Sequence, residues 1–418
     1  MGEMSSITAI IPTYNRAGFL GQTLDALRRQ TRPIDEIIVW DDGSTDGTLD
    51  VVRQCGKDIR YFRTANGGKS RALNAAMSEA KGDCIWICDD DDLATPQAAA
   101  VLSAMLSESP QAGIAGGAYR RFRNEDSGRV EQGPGYWPDL STGSPIRHVL
   151  EDIFLFQNAM LVRREVYGRV GGFREDLSRS MDYEMLVRLG VAAPIALTEE
   201  TIFLQRKHDG DRGPVAARHA AGQSDQVWKA ADRAIFDDFR DRIPMQFYDA
   251  MFEAPDPAHV RRAALLQRGC VYARRTDWPA ALEDFEAAVR VSSEPPLSEV
   301  ETAIVRRAMG GKHGIAEAFA EPVRRRLVRL ARHGAVGAGI GAGLARGLRW
   351  RLRQAFGDRD IGRATVTARL AASLVIAGGR RPNSTNAPSL TERRALSLDA
   401  HMAIGAEGSG IDASSPDP

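Results

Sequence analysis

Four consecutive aspartates, Asp89-Asp90-Asp91-Asp92, directly follow the apolar stretch Cys84-Ile85-Trp86-Ile87-Cys88. A short run this apolar, rich in branched and aromatic residues, predicts a strand buried on both faces. Two similar runs, Ile7-Thr8-Ala9-Ile10-Ile11 and Ile37-Ile38-Val39-Trp40, alternate with helical patterns. Leu20, Leu24 and Leu27 recur at i, i+4, i+7, and an alanine-rich run covers Ser70 to Ala80. Strand, helix, strand at this rhythm predicts βαβ units and a parallel sheet. Adjacent carboxylates at the C-terminal end of such a strand repel one another, at the edge where open α/β sheets bind ligands. A divalent cation relieves that repulsion. Hard oxygen donors at alternating positions suit Mg2+ or Mn2+, which also bind diphosphate oxygens.

A second acidic turn, Asp41-Asp42-Gly43-Ser44-Thr45-Asp46-Gly47, follows the second strand and opens onto the same edge. A carboxylate there can accept hydrogen bonds from a base or a ribose, and the glycine permits close approach to the backbone. Asn66-Gly67-Gly68-Lys69-Ser70 ends like a phosphate loop, but Arg63 stands where that motif needs glycine, which disfavours a nucleotide triphosphatase. The segment remains a glycine-rich helix start whose amides, with Lys69 and Arg71, can face a diphosphate. No G-x-G-x-x-G follows the first strand, so a nicotinamide dehydrogenase is disfavoured. Leu93 directly after the aspartates excludes the D-x-D-G-T pattern of phosphatases that form an aspartyl-phosphate.

Thr95-Pro96 predicts a capped helix start. Residues from about Gly116 to Phe156 read as loop, with Gly133-Pro134-Gly135-Tyr136-Trp137-Pro138 at the centre; Tyr136 and Trp137 offer flat apolar faces to a ligand ring or pin the loop. A strand is expected over Ala159–Val162, a turn at Gly171-Gly172, a helix from Asp182 to about Leu189 and a strand near Thr201 to Leu204. Beyond about residue 215 the pattern is helical. Leu265, Gly269, Tyr272, Ala281, Phe285 and Ala288 stand at the spacings of one tetratricopeptide-like repeat, read equally as an αα-hairpin or as a partner-binding groove. The composition from Arg381 onward, rich in Ser, Pro, Ala and Asn, predicts a disordered tail.

Taken in order, Ile10-Ile11-Pro12-Thr13-Tyr14-Asn15, the Asp41–Asp46 turn, Asn66-Gly67-Gly68 with Ala72-Leu73-Asn74, and Asp89-Asp90-Asp91-Asp92-Leu93 resemble successive blocks of the family 2 glycosyltransferases. The resemblance continues through Leu161-Val162-Arg163-Arg164 with Val170-Gly171-Gly172-Phe173, then Asp182–Leu189, then Gln205-Arg206-Lys207-His208. It implies an A-type glycosyltransferase fold, an α/β architecture with a mostly parallel sheet, here followed by an all-α C-terminal region. It also implies inverting transfer of a sugar from a nucleotide diphosphate donor to a saccharide or lipid-linked acceptor, in cell-surface polysaccharide or glycolipid synthesis. Asp89 and Asp91 match the family's D-x-D metal pair for Mn2+ or Mg2+. Asp42 matches the aspartate at the donor base, with Asp41 before it, and Pro12, Thr13 and Tyr14 border the same pocket. Asn66, Lys69, Arg71, Asp89, Asp90 and His208 complete the expected donor site, His208 approaching the diphosphate or metal on closure. Asp182 lies where the family places its catalytic base, although Met181 precedes it where many members carry an acid; Glu184 and Asp176 are the nearby alternatives, and helix capping is another role for Asp182.

The expected boundaries are a catalytic domain over 1–215, a helical domain with the tetratricopeptide-like hairpin over 216–320, basic amphipathic helices over 321–380 and the tail over 381–418. In 418 residues, 55 Lys+Arg balance 55 Asp+Glu, which argues against a general nucleic-acid binder. The balance hides a segregation. From Glu321 to Arg380 thirteen arginines face three acids, a local charge of +10. There Leu344, Leu348, Leu352 and Phe356 recur every four residues between arginines, as in a helix lying on an anionic membrane, or one packed on an acidic protein surface. The apolar runs read as too short and too interrupted to span a bilayer. Four scattered cysteines suggest a reducing compartment. With no leader pattern, the expectation is a cytoplasmic protein, either free or peripheral on the inner face of the plasma membrane. Met1-Gly2 with Ser6 fits only the loose myristoylation pattern. The competing functions are a nucleotidyltransferase using the same acidic edge and an inert scaffold whose helical half binds a protein partner.

Overall fold

The computed structural model describes residues 5–126, 128–207, 224–379 and 387–405. They divide into two compact units. One comprises residues 1–138, 153–219 and 401–418, the other 139–152 and 220–400.

The first unit is built on nine strands: β1 (Ile7–Thr13), β2 (Glu36–Asp41), β3 (Ile59–Arg63), β4 (Cys84–Ile87), β5 (Leu93–Ala94), β6 (Ile114–Glu125), β7 (Gly128–Pro134), β8 (Met160–Arg163) and β9 (Ile195–Arg206). The sheet order is β3-β2-β1-β4-β8-β6-β9-β5, with β7 paired to β6. β1 to β4 run parallel. β8 reverses, while β6 and β9 return to the direction of β4, so the ends of β1, β2, β4, β6 and β9 share one edge. The helices are α1 (Ala17–Arg28), α2 (Thr48–Cys55), α3 (Lys69–Glu79) and α4 (Ala98–Glu108), with α6 (Arg164–Val170) and α7 (Met181–Ala192) later in the chain. The expected apolar strands are buried, and Leu20, Leu24 and Leu27 turn to the core from α1.

Two expectations are corrected here. The stretch read as loop from Gly116 contains most of β6 and all of β7. Its glycines are packing sites: a Cβ on Gly116 meets Leu155 at 2.7 Å, and one on Gly117 meets Ile202 at 2.4 Å. Thr95 does not cap a helix, since α4 begins at Ala98; its hydroxyl donates to the carbonyls of Thr201 and Ile202, pinning β9.

The second unit is helical: α5 (Pro145–Glu151), α8 (Ser224–Arg242), α9 (Met245–Asp249), α10 (Pro257–Arg274), α11 (Trp278–Val291), α12 (Glu299–Arg307), α13 (Ala316–Phe319), α14 (Glu321–Leu330), α15 (Gly334–Gly347), α16 (Arg349–Gly357) and α17 (Ile361–Gly378). α10 and α11 form a hairpin in which Gly269 lies against Phe285, 2.6 Å from where its Cβ would stand. Asp256 and Asp277 cap the two helices. α5 is inserted from within the chain of the first unit. Its Glu151 is buried and accepts from Arg307 (2.9 and 3.1 Å) and Gln267 (2.9 Å), with Arg147 at 3.7 Å. Those arginine charges outweigh the opposing effect of burial and hold the Glu151 carboxyl far below the usual carboxylate range.

Two C-terminal readings also change. Residues 387–405 are ordered despite their composition: β11 (Thr391–Glu392) pairs antiparallel with β10 (Phe252–Glu253), and Arg147 reaches Glu392 at 3.0 Å. The stripe Leu344-Leu348-Leu352-Phe356 is not one face of one helix. The chain breaks at Leu348 between α15 and α16, Leu344 and Leu348 are fully buried, and Phe356 is exposed.

Candidate active site

The shared sheet edge gathers most of the expected residues. Thr13 closes β1 and its hydroxyl donates to Asp90 Oδ2 at 2.7 Å; Pro12 lies before it in β1, and Tyr14 after it is exposed. Asp41, the last residue of β2, is buried. It accepts the Ser44 N–H at 2.7 Å and the Tyr61 hydroxyl. Burial, reinforced by that bond to Asp41, pushes the Tyr61 phenol well up. Asp42 accepts the backbone N–H groups of Gly67 (2.7 Å) and Gly68 (2.9 Å), and Asn66 returns a side-chain bond to the Asp42 carbonyl at 2.9 Å. The two loops approach so closely that a Cβ on Gly43, at φ +87°, would stand 2.9 Å from the Asn66 nitrogen. Each Asp42 oxygen keeps a second lone pair for a ligand.

The four aspartates have four different environments. Asp89 accepts from Lys69 Nζ, and Asp91 from Arg16 at 3.2 Å; both carboxylates remain partly exposed. Burial, reinforced by the charge of Asp91, raises the Asp90 carboxyl to about 7. Asp92 is sealed, accepting the Arg206 N–H and the Asn158 amide at 2.7 Å each. Burial and the charges of Asp89 and Asp91 push it well up. Thr23 donates to the carbonyls of Asp90 and Asp92 from beneath, and Arg206 stacks on Phe122 while holding the Asp91 carbonyl at 2.7 Å. Asp92 is thus a fastener for β9, whereas Asp89 and Asp91 meet the long basic side chains of Lys69 and Arg16.

Asp182 stands in the first turn of α7, where the helix end favours negative charge, and its Oδ1 accepts the Tyr183 N–H at 2.9 Å. The N-cap position is Ser180, so capping does not account for Asp182. α7 begins beside α3: Ser70 Oγ contacts Met181 Sδ at 2.7 Å. Burial acts to lower the Lys69 pKa, but the carboxylates of Asp89, Asp182 and Asp90 outweigh it and raise it. One ammonium therefore lies in the field of the aspartate run and of Asp182 together. The alternatives to Asp182 are spoken for. Glu184 is fully buried in a two-bond pair with Arg188 (2.8 Å each), and Asp176 pairs with Arg174 at 2.6 Å.

Not every expected residue joins the cluster. Arg71 is largely exposed and faces Glu175 at 3.7 Å. His208 lies outside the described residues. Trp137 packs edge-on against Phe154 with ring centroids 5.2 Å apart, so it anchors its loop, while Tyr136 is exposed. Sequence reasoning missed Arg16, Tyr61, Thr23 and Asn158. Arg16 adjoins a block of the resemblance; the other three are placed by tertiary contacts that no local spacing signals.

Residues 8–171 match the family model described as glycosyl transferase family 2. A chondroitin synthase of Pasteurella multocida is 29% identical over 188 residues, covering 44% of this chain and 18% of the relative. An uncharacterized glycosyltransferase of Rickettsia felis is 26% identical over 232 residues, covering 51% and 36%. The chain therefore spans well under half the length of these curated relatives. Among solved structures, S. aureus TarS 1-349 in complex with UDP-GlcNAc aligns with a TM-score of 0.46 and 15% identity over 73% of this chain and 85% of that one. The acidic sheet edge built from the ends of β1, β2 and β4 falls within the span that matches the glycosyl transferase family 2 model.

Proposed function

We propose that the protein is an inverting glycosyltransferase that moves a sugar from a nucleotide diphosphate donor to an acceptor hydroxyl, in the assembly of a cell-surface polysaccharide or glycolipid. The observation carrying this reading is the convergence of Asp89, Lys69 and Asp182 at the ends of β4, α3 and α7. A negative leaving group and a proton acceptor are both served there. The kinship with a chondroitin synthase supports a glycan acceptor.

Asp89 and Asp91 fit a divalent cation. Both offer hard oxygens, and their present partners, Lys69 and Arg16, sit on flexible stems. Among the described residues no three His, Cys, Asp or Glu side chains converge as a ready-made cage. Two carboxylates completed by diphosphate oxygens and water is the usual arrangement for Mg2+. A bound Mg2+ or Mn2+ would neutralise charge growing on the leaving diphosphate. Lys69 and Arg16 present positive charge to the same oxygens, and the Asp41–Asp42 loop lines the base pocket. Asp182 takes the acceptor hydroxyl's proton as that oxygen attacks the anomeric carbon opposite the leaving group, so a single displacement inverts the centre.

Incubating the full chain with a panel of nucleotide sugars and Mn2+ tests this reading. Free nucleoside diphosphate is expected, lost in Asp91→Asn. Pyrophosphate as product would make the protein a nucleotidyltransferase, and absence of turnover with every donor would leave the scaffold reading.

A further inference from the structure

Twelve large hydrophobic side chains are exposed among the described residues, and six of them, Trp350, Phe356, Ile361, Val366, Val375 and Ile376, fall on α16 and α17. Phe356, Ile361 and Ile376 are 70%, 79% and 78% exposed. This is a concentrated unpartnered surface rather than the usual scatter of single apolar residues.

α17 has two unlike faces. Ala364, Thr367, Leu370 and Leu374 are buried in the helical unit. α17 approaches α15 at backbone distance, since a Cβ on Gly341 would stand 3.1 Å from the Leu374 carbonyl and one on Gly378 3.2 Å from Ala338. The exposed sides of α17 carry Ile361, Val366, Val375 and Ile376, and no acidic residue lies between Ile361 and Gly378. By length and composition α17 could cross a bilayer, which corrects the expectation that no run here is long enough. Its close packing on α15 argues that it lies on a surface instead.

The charges around this face indicate which surface. The only acids of the segment, Asp358 and Asp360, are both taken by Arg363. Arg351 is spent on the carbonyls of Met309 and Gly311. Arg349, Arg353, Arg359 and Arg369 pair with no carboxylate among the described residues. Exposed apolar side chains set among arginines without a carboxylate partner complement a bilayer with anionic headgroups, such as a cytoplasmic leaflet.

We propose that α16 and α17 form a membrane-docking surface that seats the protein on anionic lipid, with Phe356, Ile361 and Ile376 entering the headgroup boundary. The proposal makes no use of the donor site, so its test reads lipid binding rather than turnover. The full chain should co-sediment with phosphatidylcholine vesicles containing phosphatidylglycerol, but not with phosphatidylcholine alone, and be released by salt and by alkaline carbonate. Arg349→Gln with Arg353→Gln and Arg369→Gln should lower partitioning on the order of a hundredfold, at about fivefold per arginine near the surface. Val375→Ser with Ile376→Ser should lower it roughly tenfold or more, with melting temperature and donor turnover unchanged in both variants. Vesicle binding retained in both variants would overturn the proposal, as would carbonate-resistant insertion. A concentration-dependent dimer abolished by Val375→Ser and Ile376→Ser, without vesicle binding, would assign the face to a second copy of the chain and equally overturn it.

Discussion

Two sets of buried or half-buried acids divide the molecule by purpose. In the helical unit Glu301 and Arg262 are both fully buried and joined by bonds of 2.7 and 3.0 Å, and Glu301 also completes the capping box with Ser298. Glu151 is likewise enclosed by arginines. At the sheet edge Asp89 and Asp91 face Lys69 and Arg16, whose side chains can swing away. A carboxylate locked by a guanidinium contributes to architecture, because removing either partner strands a buried charge. One neutralised by a flexible cation is available to a ligand. The contrast separates structural from functional acids without reference to any relative.

That division can be broken experimentally. Asp182→Asn should reduce turnover roughly 10²–10⁴-fold, the usual contribution of a positioned general base, while the melting curve stays put; steady-state kinetics beside calorimetry would show it, and a destabilised variant with normal turnover would return Asp182 to architecture. Glu301→Ala should do the reverse, costing roughly 3–5 kcal/mol of stability by leaving Arg262 unpaired, as measured by denaturant unfolding. A smaller effect depends on pH. Burial, aided by the Arg147 charge, lowers the His148 pKa from 6.5 to about 4. Its Nε2–H donates to the Thr142 carbonyl at 2.9 Å and its Nδ1 accepts from Arg147 at 3.2 Å, as a neutral ring requires. Between those two values the unfolded chain binds a proton that the folded chain refuses. Stability therefore falls as pH drops through that window, by about 3 kcal/mol at most. Melting across that range should show the slope, and His148→Gln should remove it.

Much of the first unit was legible because its signals are local. The apolar runs ending at Ile11, Trp40 and Cys88 have no alternative to burial, and acidic turns after parallel strands mark a ligand edge. β6 and β7 were hidden because glycine at 116 and 117 serves packing against Leu155 and Ile202, a tertiary reason that looks like a loop. β3 escaped notice for a similar cause: Ile59–Arg63 carries two arginines and only its first residue is buried. The candidate site was legible where residues come in blocks. Arg16, Tyr61 and Asn158 act through contacts that only the sheet order creates. In the helical unit, the four-residue spacing of Leu344 to Phe356 suggested a single amphipathic helix, but periodicity cannot register a break such as the one at Leu348.

The insertion of α5 has a consequence for how this protein is made. Glu151 leaves the ribosome long before Arg274 and Arg307 exist to receive it, and Arg147 waits still longer for Glu392. After that, His401 and Met402 return to the first unit and bond to the Val191 carbonyl. The order of synthesis and the order of assembly therefore cannot coincide. A nascent chain holding only the first unit's residues carries a short helix whose Arg147 and Glu151 lack their later partners, and shortening the gene from its 3′ end would disturb residues placed near the middle.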